Sequence, residues 1–355
     1  MTGRGSRTRI TARVIRRLRR GIIRLPIAPL RGYRSVMKPE VLGLCYHVIS
    51  DVPVPHVDSL FPHKSSQAFE RQLVYLKEHF QLLTYEELTK LRNQHRKNAA
   101  AVFVSFDDGL SECYEIVRPV LIKHSIPCLF FVSTDFIDNV SMSNDHKIGL
   151  CRTRLSVLSG PQRDDAIQTL NSTFHLRIRS LREAFQWLDD SAIRDGDGVV
   201  FDECCEILGI DVGAYLRRNK PYLTTEQIKQ LVREGFVVGA HGRSHVRLAA
   251  LSPADQEAEI ASSCAIVRDL TGTEKCPFAF PYSGDGVSLS FLYELKAKYP
   301  FLGLFFDLGG FWSRADFVVN RIWCESPLLS PSPASSMPAI LRNAFQNVWI
   351  EKFFA

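Results

Sequence analysis

Two short polar sets in this sequence carry residue types suited to hydrolysis. The first is Asp107-Asp108-Gly109; the second runs from His241 through Gly-Arg-Ser to His245. Adjacent carboxylates repel each other, so both stay ionised only where a cation or a proton relieves them. Asp-Asp-Gly is equally good turn chemistry, and a plain turn is the competing reading. Two histidines four apart would share one face of a helix, but Gly239 and Gly242 favour a loop leaving a strand. A structural histidine pair competes there. Taken together the two sets say more. One carboxylate and two imidazoles form a three-point ligand set for a divalent metal that leaves positions open for water and substrate. The second carboxylate is then free to accept a proton from that water.

Such a site needs elements that carry distant residues to one rim. Short apolar segments at 41–47, 99–106, 128–132, 236–240, 278–282, 301–306 and 317–323 read as strands. Amphipathic stretches separate them: 66–80 with Phe69, Leu73, Leu76 and Phe80 on one face, 111–124, 224–233, 252–270 and 289–298. Thr84 with Glu87, and Thr224 with Gln227, have the spacing of capping boxes that open helices. Strand–helix alternation of this kind implies βαβ units and a parallel sheet. In parallel α/β folds functional residues gather at the carboxyl ends of strands. Here those ends deliver His47, Asp107-Asp108, His241 and Pro281-Tyr282-Ser283-Gly284. The rhythm breaks over about 138–220, which reads as a helical insertion.

The chain has 355 residues, of which 45% are hydrophobic and 23% charged. That is a globular composition, which excludes a disordered or collagen-like chain. No apolar run approaches the roughly 20 residues needed to cross a bilayer. The net charge of +6 is uneven: residues 1–35 hold eleven arginines and no acidic residue, so the remainder is mildly acidic. Ile10, Val14, Leu18, Ile22 and Leu25 recur at helical spacing among those arginines, ahead of Pro26 and Pro29. This is the pattern of a basic amphipathic helix lying on an anionic membrane surface; a solvated tail and an organelle presequence are alternatives. Nucleic acid fits poorly, because no aromatic residue interleaves the arginines before Tyr33. Nine scattered cysteines, odd in number, indicate free buried thiols and a cytoplasmic protein. The expected organisation is a basic segment 1–38, a catalytic unit 39–325 interrupted by the insertion, and a tail 326–355.

Phe106-Asp107-Asp108-Gly109, then His241-x-x-Ser244-His245, then Phe280-Pro281-Tyr282 with Gly284, resembles the polysaccharide deacetylases of carbohydrate esterase family four. Tyr46-His47, residues 82–88, Tyr222-Leu223-Thr224 and Gly239-Ala240-His241 resemble its exopolysaccharide-type branch. The likeness covers about 40–325 outside the insertion. It implies a distorted (β/α) barrel of about seven parallel strands, a general base at Asp107 and metal ligands at Asp108, His241 and His245. It implies an oxyanion contact from the backbone N–H of Tyr282 and a divalent ion, zinc first, with cobalt, nickel or iron suiting the same ligands. Pro281 and Arg321 are expected to line the sugar cleft, a surface ion pair being the other reading of Arg321. Two departures stand out. The family's base-tethering arginine position holds Ala279, and no histidine follows His245 to serve as the late general acid. His47 is the replacement acid this pattern offers; a packed strand-end imidazole is its competing reading.

The implied activity is removal of acetyl groups from N-acetylated sugars of a polysaccharide or a lipid-linked glycan, with peripheral membrane contact through residues 1–35. A catalytically inactive, glycan-binding relative is the alternative. A non-haem iron oxygenase also uses two histidines and a carboxylate, but its motif places a carboxylate two residues after the first histidine, unlike this order.

Overall fold

The computed structural model describes residues 41–94, 101–194, 198–311 and 314–354. The arginine-rich segment and its expected helix lie outside the described residues. Seven parallel strands form the core: β1 (Leu42–Tyr46), β3 (Ala101–Phe106), β4 (Cys128–Val132), β5 (Val237–Ala240), β6 (Cys276–Ala279), β7 (Leu302–Asp307) and β8 (Val318–Trp323). A two-residue strand, β2 (Gln81–Leu82), adds to the start of β3. The order β1-β8-β7-β6-β5-β4-β3 closes through a β1–β3 pairing, making a (β/α) barrel. β1 and β3 are buried at every position, as expected for parallel strands covered on both faces. Their apolar runs have no polar alternation for that reason.

Closure sets the registers that align the strand ends. Tyr46 stands opposite Phe106, and the Asp107 N–H donates to the Tyr46 carbonyl at 2.9 Å. Val132 stands opposite Ala240, and the His241 N–H donates to the Val132 carbonyl. Cys45 pairs with Trp323, bringing the end of β8 beside that of β1. The rim therefore collects the residues that follow β1, β3, β5, β6 and β8.

Both capping boxes are present, opening helices Tyr85–Asn93 and Thr225–Arg233. β6 differs from expectation. It ends at Ala279, because Pro281 cannot donate to a ladder, and Phe280-Pro281-Tyr282 forms the exit turn instead. The stretch 111–124 is also not one regular helix. Cys113–Val117 winds as a π-turn before Arg118–His124, where Pro119 withholds an N–H from the preceding turn.

The insertion is a five-helix unit: Asn144–Val157, Gly160–Thr173, Leu181–Arg194, Val199–Ile207 and Val212–Asn219. It has its own apolar centre, including Cys151, Leu155, Leu170 and Phe201. Residues 326–355 were expected to be a tail, yet Met337–Phe354 is helical. Met337, Ile340, Leu341 and Phe345 are buried in the barrel's main core, so this part belongs to the barrel unit. All nine cysteines are free and buried.

Candidate active site

The Asp-Asp-Gly set leaves the barrel through a strained turn. Asp108 has φ 70° and Gly109 φ 69°, both left-handed. A Cβ on Gly109 would press on the Val132 side chain at 2.9 Å. Left-handed backbone is uncommon for residues other than glycine, and its cost persists where surrounding contacts demand it. His245 (φ 56°) and Tyr282 (φ 59°) share the same strained region. Three such residues on one rim mark where the fold gives up local stability.

The turn aims Asp108 at the two histidines. Asp108 Oδ1 lies 3.4 Å from His241 Nε2 and 3.2 Å from His245 Nε2. It is buried and accepts no hydrogen bond, a costly arrangement for a carboxylate oxygen without a cation. His241 Nδ1 lies 2.9 Å from the Ala279 carbonyl and donates to it, which leaves the Nε2 lone pair facing Asp108. One oxygen and two nitrogens therefore converge, all within 4.8 Å of one another. These residues fit a divalent ion by donor type, by tautomer and by the unpaired Asp108 oxygen. Electrostatics agree. Burial would raise the Asp108 carboxyl, but the charge of His245 and the closeness of both imidazoles hold it well below the usual range. Burial would lower His245, yet Asp108 and Asp145 lift it to about 10. The pocket is built to hold positive charge.

Asp107 has a different environment. Arg321 holds it bidentately, with Nη1 at 2.6 Å from Oδ1 and Nη2 at 2.8 Å from Oδ2. The Ser105 hydroxyl also takes a bond from Arg321, and the Cys45 thiol donates to Asp107 Oδ2 at 3.3 Å. Burial pushes the Asp107 carboxyl up, but Arg321 outweighs it and the net shift is downward, with His241 helping. Asp107 is thus ionised and fixed in orientation. This corrects the expected role of Arg321. It is 0% exposed and stacks over Phe131 and Phe306 inside the barrel. Arg321 does not line the cleft; it tethers the carboxylate, the task left open by Ala279.

His47 sits beside this pair, its ring within 4.8 Å of Asp107 and Cys45 ligand atoms. Its Nδ1 lies 3.0 Å from Glu325 Oε2, and Glu325 also accepts the His47 and Val48 N–H groups and the Trp323 indole. Burial alone would lower the imidazole. The hydrogen bond to Glu325 and the nearby carboxylates reverse that and bring it to about 9. Phe61 and Trp323 enclose the ring.

Tyr282 holds the rim's other side. Its phenol donates to Asp145 Oδ2, and the Arg247 guanidinium lies 4.5 Å over its ring. Pro281, expected to contact sugar, is buried, and a Cβ on Gly242 would lie 3.4 Å from it. It shapes the turn rather than facing the cleft.

Glu325 and Asp145 were not anticipated. Glu325 follows β8 by two residues, so a search of strand ends extended past Trp323 would have found it. Asp145 had no signal, because it lies in the insertion and reaches the rim only through folding.

Comparisons with known proteins agree with this geometry. Residues 202–297 match the polysaccharide deacetylase family. The chain is 29% identical over 106 residues to the poly-beta-1,6-N-acetyl-D-glucosamine N-deacetylase of Staphylococcus epidermidis. That match takes in 30% of this chain and about a third (33%) of that protein. Among solved structures, the Streptococcus pyogenes deacetylase PplD, in complex with acetate, superposes with a TM-score of 0.52 at 17% identity, covering 82% of this chain and 96% of that one. IcaB from Ammonifex degensii gives 0.50 at 19%, covering 86% and 97%. These two share the fold. With the ordered motifs on one barrel rim, this chain is similar in sequence to the polysaccharide deacetylases over residues 202–297 and shares the fold of the two solved deacetylases.

Proposed function

We propose that this protein is a metal-dependent hydrolase that removes acetyl groups from N-acetylated sugars of a glycan. The observation that carries the reading is the division of labour between the two aspartates. Asp108 faces two imidazole Nε2 atoms, while Asp107 is bound to Arg321. A divalent ion held by Asp108, His241 and His245 would polarise the acetyl carbonyl and make its bound water more acidic. Asp107, kept ionised by Arg321, accepts the proton of the attacking water. The backbone N–H of Tyr282 is the donor assigned to the developing oxyanion. His47 then protonates the leaving nitrogen as the C–N bond breaks, giving acetate and a free amine. No later histidine is needed for this.

Zinc is the ion we propose, since it favours nitrogen and oxygen donors in such sets. The relative in Staphylococcus epidermidis is named for N-deacetylation of a β-1,6-linked N-acetylglucosamine polymer, which supports a neutral N-acetylglucosamine glycan as first substrate. The arginines of residues 1–35 support contact with an anionic membrane face, and nine free thiols support a reducing, cytoplasmic setting. The deciding assay follows acetate release from N-acetylglucosamine oligomers. We expect release that stops on chelation and returns with added zinc. Metal-loaded protein that retains the oligomer but frees no acetate would instead establish the inactive, glycan-binding alternative.

The acid role of His47 predicts a pH profile. A general acid works only while protonated, so kcat should fall as pH rises through about 9, the value to which His47 is lifted. Glu325→Gln removes the bond that raises it. The alkaline limb should then move down toward the ordinary imidazole value of about 6.5. A limb that stays in place in the variant rules out His47 as the acid.

A further inference from the structure

The insertion meets the barrel at a nailed neck. Asn139 and Tyr222, at its two ends, exchange reciprocal bonds: the Asn139 amide donates to the Tyr222 carbonyl at 3.0 Å, and the Tyr222 N–H donates back at 2.9 Å. One residue outward, Asp138 accepts both the N–H and the hydroxyl of Thr225. The Tyr222 phenol accepts from the Ser143 N–H and lies 2.6 Å from His146 Nδ1. These contacts fix the first turn of helix Asn144–Val157, which Ser143 caps. Asp145 stands in that turn.

From there Asp145 reaches into the rim. Its Oδ2 lies 3.0 Å from His245 Nδ1, close though not aligned as a hydrogen bond, and accepts the Tyr282 phenol. His245 and Tyr282 are two of the three non-glycine left-handed residues there, and one carboxylate lies against both side chains. His241 has its Nδ1 on a backbone carbonyl of the barrel. His245 has its Nδ1 3.0 Å from a carboxylate of the insertion. A carboxylate behind a ligating imidazole fixes its tautomer and makes it a stronger donor, and losing such a partner typically weakens metal affinity about 10–100-fold.

We propose that Asp145 is a positioning residue for the metal centre, and that through it the docked insertion sets how tightly the protein holds its ion. This rests on the metal-dependent reading above. Linkage makes the effect reciprocal: an ion that prefers the docked arrangement must also stabilise docking. The insertion is then part of the metal site rather than only a wall of the substrate cleft.

The test uses the full chain and cobalt(II), whose visible absorption reports ligand geometry, with affinity read by competition against a chromogenic chelator. Asp145→Asn should bind cobalt about 10–100-fold more weakly with an altered visible spectrum. Asp145→Glu, which keeps the carboxylate, should recover part of the affinity. Tyr282→Phe removes only the phenol and should fall between wild type and Asp145→Asn; it carries the test if the latter does not fold. Asp189→Asn breaks an insertion surface pair with Arg152 and should bind as wild type does. Limited proteolysis supplies a second readout, in which metal slows cleavage within the insertion of wild type but not of Asp145→Asn. Wild-type affinity and spectrum in Asp145→Asn overturn this inference alone. Absence of metal binding by the wild type would overturn the deacetylase reading itself.

Discussion

Asp107→Asn is expected to lower kcat by about 10²–10⁴-fold, the range a positioned general base supplies. Cobalt or zinc affinity should stay within a few-fold of wild type. The two halves of this result follow from the separation of roles. Asparagine keeps the shape of the side chain and can still face Arg321, but it cannot take a proton from water. The three candidate ligand atoms belong to other residues, and Asp107 Oδ2 is 4.0 Å from His241 Nε2, farther than either Asp108 contact. Steady-state acetate release and chelator competition on the same preparation check both halves. Full activity in the variant would show that the base is elsewhere. A large loss of metal would show that Asp107 is a ligand.

The second large effect concerns stability. Arg321→Met should destabilise the protein by about 3–5 kcal/mol, because it leaves a buried carboxylate without its counter-charge. Arg321 is 0% and Asp107 1% exposed, so water cannot take the arginine's place without opening the barrel. Methionine approximates the lost volume, and the change therefore reports mainly charge. Adding Asp107→Asn removes the stranded charge, and the double variant should be more stable than Arg321→Met alone. A double-mutant cycle by chemical denaturation measures the coupling. Arg321→Met should also slow acetate release at pH 7, since the Asp107 carboxyl rises once Arg321, the main group offsetting its burial, is gone. Equal stabilities for Arg321→Met and wild type would show that the pair is not the source of order at this rim.

Much of this protein was legible from residue order because the informative patterns are local. Strand segments declare themselves by continuous apolar runs, and β1, β3, β4, β7 and β8 lie within a residue or two of where those runs place them. The capping boxes at Thr84 and Thr224 need only three-residue spacing, and both form. Asp108, His241 and His245 follow strand ends, and parallel topology alone brings strand ends to one rim. Their convergence was therefore expected from sequence, and the structure brings them together.

Other features depend on which side chains meet once the barrel closes. Nothing near Arg321 in the sequence distinguishes a cleft-lining residue from a buried tether. Register decides it, by setting Arg321 opposite Gly43, whose missing side chain leaves the space the arginine fills. Glu325 and His47 are distant in sequence and meet because β1 and β8 are neighbours. Asp145 is farther still from prediction, because it is carried to His245 by a folded insertion whose own core and neck determine its position. Residue order determined the barrel and the polar residues at its strand ends, the candidate ligands among them. Tertiary closure alone decided which buried charges face one another, since those partnerships follow the sheet's register and not the spacing along the chain.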